Sequence, residues 1–373
     1  MKILHLIDSF DARFERDQIK LVELLEKKRY HSTVITSRYS SDWKLTKKAE
    51  FKNWEKRFSQ TEIIHEPSLR ILTPFSKTPS PIYFPSRQVL RNFDIIHAYT
   101  FATYSSLLGA ALKTIKNSKL VIRSDLSPAA YYKAKNAPFY RMILTYPLQI
   151  AEAVYAYSNL EKCYLVGLGV QEKKIWIIPP GIDLSKFSKS PVLEKKGSIT
   201  IGYLGRFCVV KGVHRIIPTL RAILREEKEV KVVFTGILED VKYAKNVISP
   251  LKKFSNFEYL SDLSTSPIRF YNMCDIILIP SMSETGAIAV LEAMASGKVV
   301  IASDINPIKE YIQHERSGFL FRDQKEVYLC LKKLIENPDL IEEIGKRARE
   351  EAEKYDWQLV IRRYETMYKS VIK

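Results

Sequence analysis

The chain has 373 residues, of which 46% are hydrophobic and 27% charged, and this composition excludes a largely disordered protein. The chain is too long to fold around one ordinary hydrophobic core, and its length therefore predicts two α/β domains. The formal net charge is +17, most of it in the first half, so nucleic acid, anionic lipid and phosphorylated substrates are candidate partners, beside the alternative of a solubilising surface.

Short apolar segments alternate with more helical stretches along both halves, as in parallel α/β units. In the first half the predicted strands are MKILHLI, STVIT, IIHAY, KLVIRS and AVYAYS, and in the second half SITIGYLG, VKVVFTG, FEYL, DIILIPS, KVVIAS and GFLF. The proline-containing and lysine-rich segment IIPPGIDLSKFSKSPVLEKKGS separates the halves. We therefore predict domains over 1–185 and 186–354, followed by a terminal helix over 355–373 that packs back toward the first domain.

Three stretches of the first half break the strand–helix alternation and combine aromatic with basic residues or proline. They are residues 39–58, 74–86 and 131–148. In the first of them, Phe51, Trp54 and Phe58 fall on one face of a predicted helix. Such helices lie on membrane surfaces or, as the alternative, pack their aromatic face inward.

The spacing of the cysteines and the length of the apolar runs indicate the cellular compartment in which we expect the protein. The four cysteines form no CxxC pair, which predicts a reducing environment without a disulfide framework or a zinc site. No apolar run reaches the ~18 residues that span a bilayer, and Asp8 interrupts the first run before a secretory segment forms. We expect a cytoplasmic protein, soluble or peripheral on a membrane.

The segment PSMSETGAIAVLEAMASGKVVIASD carries the strongest chemical signal. A buried strand ends in a polar loop with Glu284, and a predicted helix containing Glu292 follows until Gly297 ends it. Ala287 and Ile288 fall near the helix start, where free N–H groups favour phosphate. The two carboxylates could accept hydrogen bonds from sugar and ribose hydroxyls, or be a cap acid and a solvated helix residue.

The segment SITIGYLGRFCVVKGVHRII carries a second signal. A strand ends at Gly205, Arg206 follows at once, and Lys211-Gly212 is predicted to open a helix. Because ligands of open α/β sheets bind at the carboxyl ends of strands, Arg206 and Lys211 could hold a diphosphate. The alternative is two surface cations in a basic protein.

The order Gly205-Arg206, Lys211-Gly212, and Glu284 with Glu292 before AMASG resembles the retaining glycosyltransferases of the GT-B fold, which include glycogen, sucrose and lipid mannosyl or glucosyl transferases. DIIHAY, IIPPGIDLSKF, Glu310, SGFLF and the closing YDW…RRYETMY follow in the family's order. The resemblance implies two Rossmann-like, doubly wound α/β domains facing a deep cleft.

The same resemblance implies roles for individual residues. Arg206 and Lys211 would hold the donor diphosphate, Glu284 would contact the transferred sugar and Glu292 the ribose. The remaining donor-site positions are Gly205, Gly286, Ala287 and Ile288. With no DxD motif, neither a metal nor another cofactor is expected.

Departures from the family pattern concern the transferred sugar and the acceptor. The loop after the first strand lacks the usual Gly-Gly pair, and Ser9, Arg13 or Arg16 could substitute. Instead of the family's histidine after KLVI, the chain has Arg123, Ser124 and Asp125, and a Phe-Gly step after Glu284 is replaced by Gly286-Ala287. His97 would face the cleft or be a packed structural residue.

The expected function is therefore a retaining, metal-independent glycosyltransferase, a hexosyltransferase by type. Its partners would be a nucleotide sugar, a carbohydrate or lipid-linked acceptor and an anionic membrane surface, whereas no recognised motif supports nucleic acid. The missing glycine pair and histidine motivate an alternative, an inactive GT-B-fold binding or scaffold protein.

Overall fold

The computed structural model describes residues 1–12, 17–39, 45–71, 80–187, 198–261 and 267–373. These residues form two compact units, Met1–Pro179 with Val360–Lys373, and Pro180–Leu359. Each unit is built on a wholly parallel sheet with helices between successive strands, so the predicted α/β class with two Rossmann-like domains is confirmed.

The first unit contains a seven-stranded parallel sheet and a separate antiparallel hairpin. Its strands are β1 Lys2–Ile7, β2 His31–Ser37, β3 Glu62–Glu66, β4 Ser68–Ile71, β5 Ser80–Tyr83, β6 Ile95–Tyr99, β7 Lys119–Arg123, β8 Ala153–Ala156 and β9 Ile175–Ile177. The sheet order is β3-β2-β1-β6-β7-β8-β9, and β4 pairs with β5. Strand order thus reverses between β1 and β6, as in doubly wound folds.

Helices connect these strands, and a terminal helix joins the same unit. They are α1 Asp17–Lys27, α2 Lys48–Trp54, α3 Tyr104–Ile115, α4 Pro128–Lys135, α5 Pro138–Ile150, α6 Asn159–Gly167 and, after eight helices of the second unit, α15 Trp357–Ile372. The apolar stripe expected on α15 is buried, namely Val360, Tyr364, Met367 and Val371. Its Tyr368 hydroxyl lies 2.7 Å from His97 Nδ1 in β6, which ties the terminal helix to the core of the first unit.

The second unit contains a six-stranded parallel sheet in the order β12-β11-β10-β13-β14-β15. The strands are β10 Thr200–Leu204, β11 Lys231–Thr235, β12 Phe257–Leu260, β13 Ile276–Ile279, β14 Val299–Ser303 and β15 Phe319–Phe321. The helices are α7 Leu184–Phe187, α8 Ile217–Glu226, α9 Val241–Ile248, α10 Pro267–Met273, α11 Ile288–Ala295, α12 Ile308–Tyr311, α13 Gln324–Glu336 and α14 Pro338–Ala352. β13 and β14 are buried along their whole length because helices cover both faces of the sheet.

All eleven predicted strands are present, and the structure adds others that the sequence did not reveal. The additional parallel strands, β3 and β9, lie at the two edges of the first sheet, where the pattern of burial is weakest. The helix expected to open at Lys211-Gly212 begins later, at Ile217, after two single 3₁₀ turns that meet at Gly212.

The aromatic face of residues 51–58 packs inward. Phe51 is 1% exposed and stacks on His65, with ring centroids 3.7 Å apart. The rings of Trp54 and Phe51 form a T-shaped contact, and the ring centroids of Phe58 and Phe10 are 5.6 Å apart. Of the two alternatives for this stretch, the structure therefore shows core packing.

Buried His5 predicts an acid-dependent loss of stability. Its Nδ1 lies 3.2 Å from the Tyr99 hydroxyl and its Nε2 3.3 Å from Ser32 Oγ, and burial lowers the pKa of His5 to about 3. Because the unfolded chain takes up this proton below pH ~6.5, the contribution of His5 to stability is complete above that pH and is lost as pH falls toward 3.

Between pH 7 and pH 4, the free energy of unfolding should fall by about 3 kcal/mol less for His5→Gln than for the wild type. Urea unfolding at a series of pH values measures the difference. His31→Gln, at an exposed histidine, is the control and should follow the wild-type slope. Equal slopes for all three proteins would contradict the assignment.

Candidate functional site

The candidate site lies where the strand order of the second sheet reverses, between β10 and β13. In open α/β sheets a crevice forms outside the carboxyl ends of strands at this point. The loop after β10 carries Gly205, Arg206 and Lys211, and the loop after β13 carries Glu284. The topology thus brings both sequence signals to one edge of the sheet.

A direct contact joins the two loops. Lys211 Nζ lies 2.6 Å from Glu284 Oε1, and both side chains are mostly buried, with 21% and 13% of their surface exposed. Ser281 Oγ donates a second hydrogen bond to the same carboxylate oxygen at 2.6 Å. The Met282 N–H also donates to the Val210 carbonyl at 2.8 Å, so the two loops are joined by backbone as well as by charge.

Gly212 and Arg215 determine how closely these loops approach. Gly212 has a φ of +65°, and a Cβ built there would lie 2.0 Å from the Pro280 carbonyl oxygen. Only glycine fits this position without displacing the end of β13. Arg215 donates to the Pro280 carbonyl at 3.3 Å and to Ser303 Oγ at 2.9 Å, which fixes the chain just before Ser281.

Arg206 lies at the surface beside this pair. Its Nη1 is 2.5 Å from Glu239 Oε2 in the segment after β11, and about half of each side chain is exposed. An exposed ion pair of this kind contributes little to stability, so the guanidinium can exchange Glu239 for an anionic ligand at small cost. Gly205 is packed against Gly236, whose Cβ position would lie 1.7 Å from the Gly205 carbonyl oxygen.

Glu292 projects from α11 and accepts a hydrogen bond from Tyr271 at 2.9 Å. Burial, together with this carboxylate, raises the pKa of Tyr271 well above its ordinary value, so the phenol stays a donor. Tyr271 was not identified from the sequence, because an aromatic residue in a helix more often signals core packing.

The start of α11 is formed by the predicted donor-site residues. The Gly286 carbonyl accepts from the Tyr311 hydroxyl at 3.1 Å, Ala287 adopts the left-handed conformation with φ +45°, and Ile288 begins the helix. Ala287 replaces the family's glycine and nevertheless takes a conformation that glycine prefers. The first N–H groups of α11 therefore lie at the end of the loop that carries Glu284.

The acceptor-side candidates of the first unit are mostly engaged inside it. His97 has no exposed surface, and burial lowers its pKa well below the ordinary value. Ser124 is fully buried and donates to Glu161 Oε1 at 2.5 Å, and Ser9 is 7% exposed and donates to the Tyr39 carbonyl. All three side chains thus form internal hydrogen bonds, and His97 takes the packed one of its two predicted placements. A substrate contact of Ser124 or Ser9 stays a prediction.

Arg123 and Asp125 form a linked pair at the carboxyl end of β7. Arg123 is 9% exposed and donates to the Tyr157 hydroxyl at 3.0 Å and to Asp125 Oδ2 at 3.1 Å. Asp125 has φ +49° and keeps about a third of its side chain exposed. Asp125 is thus the accessible member of the pair, whereas Arg13 and Arg16 lie outside the described residues.

Within the described ranges, no three or more His, Cys, Asp or Glu side chains are grouped so as to hold a metal ion. Within the same ranges, no helix is both long enough and apolar enough to cross a bilayer. Metal independence stays a prediction.

Comparison with known proteins identifies both halves of the chain. Residues 18–186 match the family model described as Glycosyltransferase Family 4, and residues 185–351 match the model described as Glycosyl transferases group 1. Together the two models span most of the chain, and both describe glycosyltransferases.

Two curated relatives illustrate the range of similar proteins. The sulfoquinovosyl transferase SQD2 of Arabidopsis thaliana is 33% identical over 155 residues, which are 39% of this chain and 29% of that protein. The N,N'-diacetylbacillosaminyl-diphospho-undecaprenol alpha-1,3-N-acetylgalactosaminyltransferase of Campylobacter jejuni is 28% identical over 235 residues, 58% of this chain and 59% of that one. The chain thus matches less than two thirds of either relative.

A solved structure supports the fold over the full length. HepE of Anabaena in complex with UDP-glucose has a TM-score of 0.73 at 18% identity, with 99% of each chain covered. This likeness confirms the expected GT-B class for the chain.

The approach of Gly212 to Pro280 generates a stability prediction. Gly212→Ala should destabilise the second unit by more than the ~1–2 kcal/mol that a left-handed alanine costs, because its Cβ would collide with the Pro280 carbonyl oxygen. Gly169→Ala is the matched control, since Gly169 has φ +90° but its Cβ would meet nothing nearer than 3.8 Å. Urea unfolding compares the variants, and equal losses would show that the close approach does not constrain the loop.

Proposed function

Because the chain belongs to the glycosyltransferases, with a family 4 first half and a group 1 second half, we propose that it transfers a hexose from a nucleoside diphosphate sugar to a carbohydrate or lipid-linked acceptor. The observation that carries the proposal is the Lys211–Glu284 contact at the switch point of the second sheet. HepE binds UDP-glucose, and the Campylobacter relative is named for a diphospho-undecaprenol substrate; both support these substrate classes.

In this proposal the donor diphosphate replaces the internal partners of two cations. Lys211 exchanges Glu284 for phosphate oxygens, and Arg206 exchanges Glu239 for the same diphosphate. The N–H groups of Ala287 and Ile288 at the start of α11 add hydrogen bonds to phosphate. Charge-assisted contacts of this kind stabilise the negative charge that develops on the leaving diphosphate.

In this proposal Glu284 and Glu292 bind the two sugar groups of the donor, namely the transferred sugar and the ribose. Once Lys211 turns to phosphate, Glu284 can accept hydrogen bonds from hydroxyls of the transferred sugar while Ser281 keeps it in place. Glu292, oriented by Tyr271, accepts from the ribose hydroxyls. On the acceptor side we propose Asp125, because it is partly exposed and more accessible than its partner Arg123.

The chemical step requires only positioning and charge stabilisation by these residues. We propose front-face attack by the acceptor hydroxyl with retention of configuration, in which the leaving phosphate takes the hydroxyl proton. The C–O bond to phosphate breaks as the new glycosidic C–O bond forms, through an oxocarbenium-like state. Neither a metal nor another cofactor takes part.

The nucleotide affinities of two variants should distinguish the role of Lys211 from that of Glu284. Lys211→Ala should weaken UDP, GDP or ADP binding, whichever nucleotide the wild type prefers, by about tenfold to a hundredfold, since a charge-assisted bond is lost. Glu284→Gln should leave the affinity for the nucleotide diphosphate unchanged or higher, because a negative charge is removed near phosphate.

Thermal shift and titration calorimetry measure these affinities; a ligand at one hundred times its Kd stabilises the fold by about 2.7 kcal/mol. Lys332→Ala and Glu227→Gln are matched controls, because Lys332 and Glu227 form an ion pair at the same 2.6 Å in the same unit. If the control variants weaken nucleotide binding as much as Lys211→Ala does, the site is misplaced.

Turnover tests the chemical step separately. Purified protein should slowly hydrolyse its nucleotide sugar in the presence of EDTA, and Glu284→Gln should reduce this rate by at least about a hundredfold, the loss of one strong transition-state contact. Chromatography of the released nucleotide gives the rate, and NMR of the released sugar gives its anomeric configuration. Tight nucleotide-sugar binding without hydrolysis or transfer would instead favour a binding or scaffold protein.

A further inference from the structure

Two helices of the first unit present an apolar and basic surface. α4 and α5 connect β7 to β8, and α5 packs on the unit through Leu144, Thr145 and Leu148, which are buried. We define the α4–α5 surface by the exposed side chains Tyr132, Lys133, Lys135, Met142, Ile143 and Tyr146.

The outer side of α5 is apolar although it faces away from the core. Met142, Ile143 and Tyr146 are 66%, 43% and 47% exposed, and their i, i+1 and i+4 spacing places them on one side of the helix. Leu144 and Leu148 occupy the opposite side. The packing of the unit therefore accounts for the inner face of α5 and leaves the outer face without a structural explanation.

The charged side chains of the segment that forms this face have one sign. Residues 126–151 contain Lys133, Lys135 and Arg141 but no Asp or Glu. Lys133 and Lys135 are exposed, and Lys135 Nζ lies 5.9 Å from the centre of the Tyr131 ring. A surface that combines aliphatic, tyrosine and lysine side chains without acidic residues complements an anionic lipid bilayer.

We propose that the α4–α5 surface docks this protein on an anionic phospholipid bilayer. Met142 and Ile143 enter the boundary of the acyl chains, Tyr132 and Tyr146 lie at the level of the headgroups, and the lysines face lipid phosphates. The docking does not depend on the proposed transfer reaction, because no residue of the donor site belongs to this surface.

The position of the surface also suits a lipid-linked substrate. α4 starts at the carboxyl end of β7, where Ser127 caps it two residues after Asp125. The bilayer would therefore lie beside the edge of the first sheet that carries the proposed acceptor contact. A lipid-linked sugar would reach Asp125 without leaving the membrane.

Flotation with vesicles tests the docking directly. The full chain is mixed with vesicles of phosphatidylcholine alone or of phosphatidylcholine with one quarter phosphatidylglycerol, at low salt and at 500 mM NaCl. We expect at least tenfold stronger partitioning onto the anionic vesicles at low salt, and weaker partitioning at high salt as charges are screened.

Two variants divide the surface into its apolar and basic parts. Met142→Ser with Ile143→Ser and Tyr146→Ser should reduce partitioning at both salt concentrations. Lys133→Glu with Lys135→Glu should reduce it at low salt, by about fivefold or more for each cation removed. Circular dichroism and thermal unfolding should match the wild type, because all five side chains are exposed.

Matched controls carry comparable changes at exposed positions outside the α4–α5 surface. Val241→Ser with Leu329→Ser and Leu359→Ser is the apolar control, and Lys245→Glu with Lys252→Glu is the charge control. Both controls should partition like the wild type. The proposal is wrong if the wild type does not prefer anionic vesicles or if controls and surface variants lose binding equally. It is also wrong if light scattering shows a wild-type dimer that the triple serine variant dissociates.

Discussion

The close approach of the loop after β10 to the end of β13 is the constraint on which the candidate site of the second unit depends. Gly212 leaves room for the Pro280 carbonyl, and Arg215 donates a hydrogen bond to the same carbonyl. With this approach fixed, Lys211 reaches Glu284 across the switch point of the sheet. A bulkier residue at Gly212 would separate the cation from the acid, although neither charged residue had changed.

The electrostatics of the site follow from this geometry. Lys211 and Glu284 satisfy each other in a mostly buried setting, whereas Arg206 and Glu239 pair in solvent. A nucleoside diphosphate brings two negative groups and several hydroxyls, so it can satisfy both cations and release both acids at once. Pairing each cation with a carboxylate keeps the charges compensated in the free protein, and in the proposed complex the released Glu284 accepts hydrogen bonds from the sugar.

The sequence predicted the parts of the fold whose signal is local. Buried strands such as β13, the helix α11 and its end at Gly297 are encoded by short apolar runs and by glycine. Contacts between distant segments have no such local signal. In the sequence, Arg215 is indistinguishable from other surface cations, and Tyr271 resembles an ordinary aromatic residue of the core. The late start of α8 also escaped prediction, because Gly212 is required there for a close approach to Pro280, which directly follows β13.

The first unit shows why the environment of the residues proposed for the acceptor side was harder to predict. Glu161 accepts from Ser124 Oγ, the Leu126 N–H and the Tyr157 N–H, and thereby joins the segments that follow β7 and β8. Burial raises the pKa of Glu161 to about 7 against these hydrogen bonds. Arg123, in the family's histidine position, is enclosed by the same segments, so its charge acts on Asp125 rather than on a substrate directly. At this position the Asp125 carboxylate is therefore the more exposed group of the pair.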